Sequence, residues 1–152
     1  MKIVSLNAWG GRLFEQMSDW LAQEQPDILC LQEVVYAPGS PSAWLDYRDD
    51  GENLPQRADM LRDILRVLPD HGVTFCPAAC GTLWLGERPV PALWGLATFI
   101  GPELMVVGQQ QGFVHGDFSP AGFGPHPRSR TAHVVRVFHP EEGGVTVGHM
   151  HG

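Results

Sequence analysis

The sequence predicts an α+β fold, a mixed sheet carrying two amphipathic helices, on three observations. Two apolar runs of strand length bracket a helical stripe near the N-terminus, and a second helical stripe follows at 60–68. Beyond it, strand-length apolar runs alternate with Gly/Pro breaks. At 152 residues, with 43% hydrophobic and 18% charged content, the chain has the size and composition of one globular domain.

Residues 2–7 are β-branched and apolar, and Asn7-Ala-Trp-Gly-Gly stops them with turn formers, which predicts a strand. Leu13, Phe14, Met17, Trp20 and Leu21 then recur at helical spacing, and Pro26 closes that helix. The run Asp27 to Glu33 is nearly continuously apolar, as in a strand covered on both faces. A crossover helix between two such strands makes them parallel, so Asn7 and Glu33 are expected along one edge of the sheet, where open α/β sheets bind ligands.

Residues 36–55, rich in Pro, Gly, Ser and Asp, are expected to form a long surface excursion. Met60, Leu61, Ile64, Leu65 and Leu68 mark the second helix, ended by Pro69, and 72–78 is another strand. Leu93 to Ile100 and Leu104 to Gly112 are expected to pair as a hairpin around Gly101-Pro102. Residues 115–128 have the composition of an irregular segment. Arg130 to Phe138 and Gly144 to Met150 are strands joined by His-Pro-Glu-Glu-Gly.

A net charge of −7 and a pI near 5.3 argue against strong non-specific attraction to polyanions, although a bound cation can supply positive charge locally. The N-terminus has no signal-peptide pattern, and no apolar run is long enough to span a membrane, which predicts a soluble protein. Cys30, Cys76 and Cys80, an odd number without framework spacing, fit a reducing compartment, so the cytoplasm is the expected location. Cys76-Pro-Ala-Ala-Cys80 is one CxxxC without a second pair, which is weak evidence for zinc. The chain stops directly after an apolar strand, which is the expectation for a fragment.

A carboxylate at the end of a buried strand needs compensation, either from a cation or from an arginine such as Arg12. Mg²⁺ suits Glu33, because it takes hard oxygen ligands and often needs only one or two protein carboxylates beside substrate phosphate. Asn7 is either a routine turn former or an amide that contacts phosphate or orients Glu33. His149 and His151, two apart on a strand, share a face; as a pair they are metal ligands, phosphate donors or exposed strand-end histidines. His71, His115, His126, His133 and His139 show no partner pattern and read as ordinary.

These residues fall in the order of a known family. Met-Lys-Ile-Val-Ser-Leu-Asn7-Ala-Trp followed by Gln25-Pro-Asp-Ile-Leu-Cys-Leu-Gln-Glu33-Val resembles the opening of the endonuclease/exonuclease/phosphatase superfamily, which has a deoxyribonuclease-I-like fold. Trp94-Gly-Leu-Ala-Thr-Phe-Ile looks like its Gly-x-Ala strand, Arg130-Thr-Ala-His-Val-Val like its Arg-led strand, and Val147-Gly-His-Met-His151-Gly like its Asn-x-His strand.

The resemblance implies a metal-dependent hydrolase of phosphodiester or phosphate-ester bonds. Glu33, with Asn7, would hold Mg²⁺ (or Mn²⁺), His151 and Asn7 would be catalytic, and Arg130 and His149 would face the substrate phosphate. His149 stands where the family often has Asn. The partner implied is a phosphate-ester substrate, nucleic acid being one option. The fold implied is part of a four-layer α/β-sandwich, with residues 1–152 as the N-terminal portion of one domain. The family's later Asp-x-Asn motif and terminal Asp-His pair do not occur, so these residues alone are expected to turn over poorly, and a missing C-terminal half is expected. The segment is expected to build chiefly one sheet, leaving its inner face uncovered. Two other classes remain open: a catalytically inactive scaffold or interaction domain, and a His-x-His zinc metalloenzyme.

Overall fold

The computed structural model describes residues 1–49, 51–122, 124 and 127–152. The parallel pairing expected near the N-terminus is present. Strand β1 (Ile3–Asn7) runs beside β2 (Ile28–Tyr36), with Asn7 in register with Gln32, and helix α1 (Phe14–Glu24) makes the crossover. Phe14, Met17 and Leu21 are the buried stripe of α1, and its last turn ends on Gln25 in the left-handed conformation.

The excursion expected over 36–55 contains an antiparallel hairpin, β3 (Trp44–Asp49) with β4 (Glu52–Arg57). Its polar, Pro-containing sequence is tolerated because β4 is the edge strand of its sheet, where Pro55 forfeits no interior ladder bond. Helix α2 (Met60–Val67) follows, with Asp59 accepting the Arg62 backbone N–H at its start. Buried Asp63 on α2 accepts from Arg57 Nε at 2.7 Å and Arg66 Nη1 at 3.2 Å, which ties β4 to the helix.

Strands β5 (Gly72–Leu85) and β6 (Arg88–Ile100) are longer than the sequence suggested and pair antiparallel, completing a six-stranded mixed sheet in the order β1-β2-β6-β5-β3-β4. The expected hairpin around Gly101-Pro102 does not form. Ile100 is already paired with Ile28 on one side and Gly72 on the other, so both edges of β6 are taken. The chain instead crosses to a second sheet of β7 (Met105–His115), β8 (Arg130–His139) and β9 (Gly143–Met150), in the order β7-β8-β9.

The expectation of essentially one sheet is therefore corrected: a second, three-stranded sheet is present, and its strands β8 and β9 pack on the inner face of the first. Side chains alternate accordingly. Leu29, Leu31, Ala97 and Phe99 pack against the helices, while Ile28, Cys30 and Ile100 meet Val135 and Val137 of the second sheet. The result is a helix layer, a six-stranded sheet and a three-stranded sheet, three layers of the expected sandwich. Among the described residues no helix is long and apolar enough to cross a membrane.

Candidate active site

Two irregularities at one level of the large sheet create the site. The β2 and β6 partners keep one register through Leu31 and Ala97 and resume one residue out of phase at Val34 and Gly95. β2 thus carries an extra residue at Gln32-Glu33, and Glu33 sits there with φ of 54°. On the far side of β6, β5 carries a second extra residue between Pro77 and Ala79. Between the two bulges lies Gly95, where a Cβ would meet the Cys76 carbonyl oxygen at 2.1 Å. Only glycine lets the backbones close here.

A bulge releases a side chain from the strict in-and-out alternation of a strand. Val34 returns to the helix-facing core, and Glu33 is left directed into an open cavity of about 390 Å³. The walls come from every neighbouring element. Trp9 and Arg12 come from the 3₁₀ turn Trp9–Gly11 and its end, Tyr47, Leu54 and Gln56 from the β3/β4 hairpin, and Trp94 to Leu96 from β6. Arg128 to Thr131 and His151 complete them. The 3₁₀ turn lies tight against β4, because Gly10 and Gly11 leave no room for a Cβ beside Gln56 and Arg57.

Asn7 Oδ1 accepts the Trp9 backbone N–H at 2.8 Å, so the turn-forming role is real. Its Nδ2 remains directed at His151 Nε2, 3.5 Å away. His151 Nε2 also lies 3.9 Å from Glu33 Oε1. The structure thus brings Asn7, Glu33 and His151 together, with Arg130 on the cavity wall. Arg12 does not pair with Glu33; its guanidinium lies over the Trp9 ring at 4.1 Å.

His149 is placed differently. It shares the inward face with His151, but it is 3% exposed and lies between the sheets, outside the cavity lining. Its Nε2 meets Gln32 Nε2 at 2.8 Å and its Nδ1 meets Thr98 Oγ1 at 3.0 Å. Burial pushes its pKa down to about 4, assisted by the neighbouring His133 and His151. His133, expected to be ordinary, belongs to the same buried group: its Nδ1 is 2.9 Å from Thr98 Oγ1, and burial lowers its pKa as well. His126 lies outside the described residues.

The donor set can be weighed against a divalent cation. Glu33 presents an accessible carboxylate at a cavity mouth, and among the described residues no three His, Cys, Asp or Glu side chains converge. A single carboxylate with room for water and phosphate oxygens fits Mg²⁺ or Mn²⁺. The His-x-His zinc reading does not fit, since both ring nitrogens of His149 are already engaged. Nor does the CxxxC pair fit, since Cys76 is buried with its thiol pushed up to about 11 and Cys80 Sγ is 3.1 Å from the Pro120 carbonyl.

Sequence reasoning missed Arg128, Tyr47 and Trp94 on the cavity wall and the buried group Gln32, Thr98 and His133. For Gln32 and Thr98 a signal existed: each is a polar residue at a core position of an apolar strand, in phase with Ile28 and Ile100.

No family model and no curated protein matches the sequence. Solved structures do match. An endonuclease/exonuclease/phosphatase from Beutenbergia cavernae aligns with TM-score 0.64 at 18% identity, over 99% of this chain and 38% of that one. A family protein from Leptotrichia buccalis aligns with TM-score 0.63 at 14% identity, over 99% and 54%. The mannosyl-6-phosphatase of Bacteroides thetaiotaomicron gives 0.60 at 12%, over 99% and 51%. The chain has the endonuclease/exonuclease/phosphatase fold and spans between 38% and 54% of the length of these structures.

Proposed function

We propose that residues 1–152 are the N-terminal portion of a cytoplasmic phosphoester hydrolase that works with Mg²⁺, or with Mn²⁺ in its place. The observation that carries this reading is the convergence on one cavity of Asn7 at the end of β1, Glu33 in the bulge of β2 and His151 just past β9, with Arg12, Arg128 and Arg130 on its wall. A metal-ligating carboxylate, an amide, an imidazole and guanidinium groups around one void are what a phosphoryl centre requires. The occurrence of a mannosyl-6-phosphatase on the same fold favours the same chemistry.

In this reading the Glu33 carboxylate holds the cation, which when bound neutralises charge on the non-bridging phosphate oxygens. Asn7 Nδ2 donates to a phosphate oxygen, and His151 hydrogen-bonds the phosphate or protonates the departing oxygen. Arg130 pairs with the remaining phosphate charge. Water forms the new bond to phosphorus as the ester bond breaks, and the alcohol leaves with a proton. The chain contains no Asp-x-Asn motif to orient that water, so this part of the chemistry belongs to the rest of the domain. The cavity of about 390 Å³ and the net charge of −7 favour a compact ester over a polynucleotide.

The missing motif also favours a second reading, an inactive scaffold that retains the cation site. Full-length protein assayed on bis(p-nitrophenyl) phosphate and p-nitrophenyl phosphate separates the two. Hydrolysis that requires Mg²⁺, stops with EDTA and is lost in Glu33→Gln is the expected result. Cation binding with no turnover of either ester supports the scaffold.

A further inference from the structure

The three residues come from two different sheets, Asn7 at the end of β1, Glu33 in the bulge of β2 and His151 just past β9, and a buried side-chain path joins those sheets. Gln32, immediately before Glu33, extends its amide nitrogen toward Ser5 Oγ at 3.2 Å, the Cys30 carbonyl at 3.3 Å and His149 Nε2 at 2.8 Å. A carbonyl only accepts, so this amide atom donates and His149 Nε2 is the acceptor. The proton of His149 is therefore on Nδ1, which donates to Thr98 Oγ1 at 3.0 Å. The Thr98 hydroxyl donates onward to His133 Nδ1 at 2.9 Å, and His133 Nε2 donates to Gln109 Oε1 at 3.2 Å. The two N–H groups of the Gln32 amide have three acceptors in reach, His149 Nε2 the nearest, each later donor in the path finds one acceptor, and both imidazoles are neutral.

The path is anchored where the site is made. The backbone carbonyl of Gln32 accepts the Ala8 N–H at 2.9 Å, which fixes the chain just after Asn7. Its side chain fixes the bulge that aims Glu33. His149 sits two residues before His151 and fixes the end of β9. Thr98, fully buried on β6, is the only member that contacts both histidines.

We propose that Gln32, Thr98, His149 and His133 form a positioning path that sets the placement of Glu33 and Asn7 relative to His151 across the two sheets. The proposal rests on the reading of Glu33 as the cation ligand. Its members touch neither substrate nor cation.

The test is direct cation binding by the full-length protein, measured from the electron paramagnetic resonance signal of free Mn²⁺. Thr98→Val keeps the shape of the side chain and removes the hydroxyl. It is expected to weaken Mn²⁺ binding at least fivefold, while Thr98→Ser, which keeps the hydroxyl, stays within twofold of the wild type. If Thr98→Val binds Mn²⁺ like the wild type while Glu33→Gln has lost it, the path has no positioning role and the cation site stands. If Glu33→Gln binds normally, the cation reading falls and this inference with it. Should Thr98→Val not fold, the wild-type His149 tautomer decides: long-range proton–nitrogen correlation is expected to show the Nδ1–H form at neutral pH. An Nε2–H form or a charged ring overturns the path.

Discussion

His151 Nε2 lies 3.9 Å from Glu33 Oε1, although the two residues belong to strands of different sheets separated by 118 positions of chain. A histidine and a carboxylate at that distance act on one substrate atom group only while both sheets hold their places. The first test therefore separates chemistry from support. His151→Gln keeps a hydrogen-bond donor and loses the imidazole. In the full-length protein it is expected to lower kcat about 100-fold or more, the range of a positioned acid–base group, with Mn²⁺ binding unchanged. A parallel loss of Mn²⁺ binding would instead make His151 part of the cation site.

Glu33 carries φ of 54°, where a residue with a Cβ is disfavoured by about 1–2 kcal/mol. Glycine at this position relieves that strain at an entropy cost of about 0.5–1 kcal/mol. Glu33→Gly is expected to unfold at slightly higher denaturant than the wild type and to lose cation-dependent activity. A clear loss of stability would show that the carboxylate, and not the backbone, is what the fold depends on.

Acid should weaken the fold through His149. Its folded-state pKa, about 4, lies below the ordinary 6.5, so the unfolded chain takes up the proton first. The contribution is complete above about pH 6.5 and is lost as pH falls toward 4. Over that window it amounts to about 3 kcal/mol. The lowered His133 acts in the same direction. Urea titrations at stepped pH should show the midpoint falling across this range, and His149→Asn should flatten the fall. An unchanged slope in that variant would locate the acid sensitivity elsewhere.

The Arg57–Asp63 pair is nearly enclosed, and Arg57 also stacks over Phe14 at 4.2 Å. Removing Asp63 leaves the buried Arg57 charge with only the exposed Glu15 carboxylate, 3.7 Å away. Asp63→Ala is expected to lower unfolding free energy by about 3 kcal/mol. Arg66→Ala, whose side chain is largely exposed, should change it by less than about 1 kcal/mol. Chemical denaturation of both variants checks the contrast.

Gly95 offers a steric test. Because a Cβ there collides with the Cys76 backbone, Gly95→Ala forces β5 and β6 apart at the level of both bulges. A loss of about 1–3 kcal/mol is expected, as for overpacked cores, together with reduced activity from a displaced cavity wall. Wild-type stability in this variant would show that the strands yield freely at that level.

The parts of this structure legible in the sequence are those in which local pattern and tertiary role agree. The β1-α1-β2 unit, helix α2 and the β8/β9 hairpin each carry the period of the element they become. The level of Asn7 beside Gln32-Glu33 was legible because the strand-helix-strand pattern makes β1 and β2 parallel, whereas β2 runs on to Tyr36 instead of ending at Glu33, and the bulge that presents Glu33 leaves no local pattern. The β3/β4 hairpin was hidden by Pro55 and its polar neighbours, which an edge strand accepts and a central one does not. The false hairpin at Gly101-Pro102 arose because turn chemistry is local, whereas the occupancy of both β6 edges depends on residues 28 and 72. The burial of His149 was illegible for a similar reason: period 2 gives its face, and only the second sheet decides what covers that face.

The extra residue at Gln32-Glu33 has a consequence at the level of the gene. A strand that is one residue too long for its partner is one codon away from a regular ladder. An in-frame deletion of that codon would let β2 and β6 pair without interruption, and the molecule would keep its layers while its carboxylate left the cavity. Loss of the cavity carboxylate is therefore a short mutational step that need not pass through misfolding, and such deletions would survive any screen that selects only for soluble, folded protein.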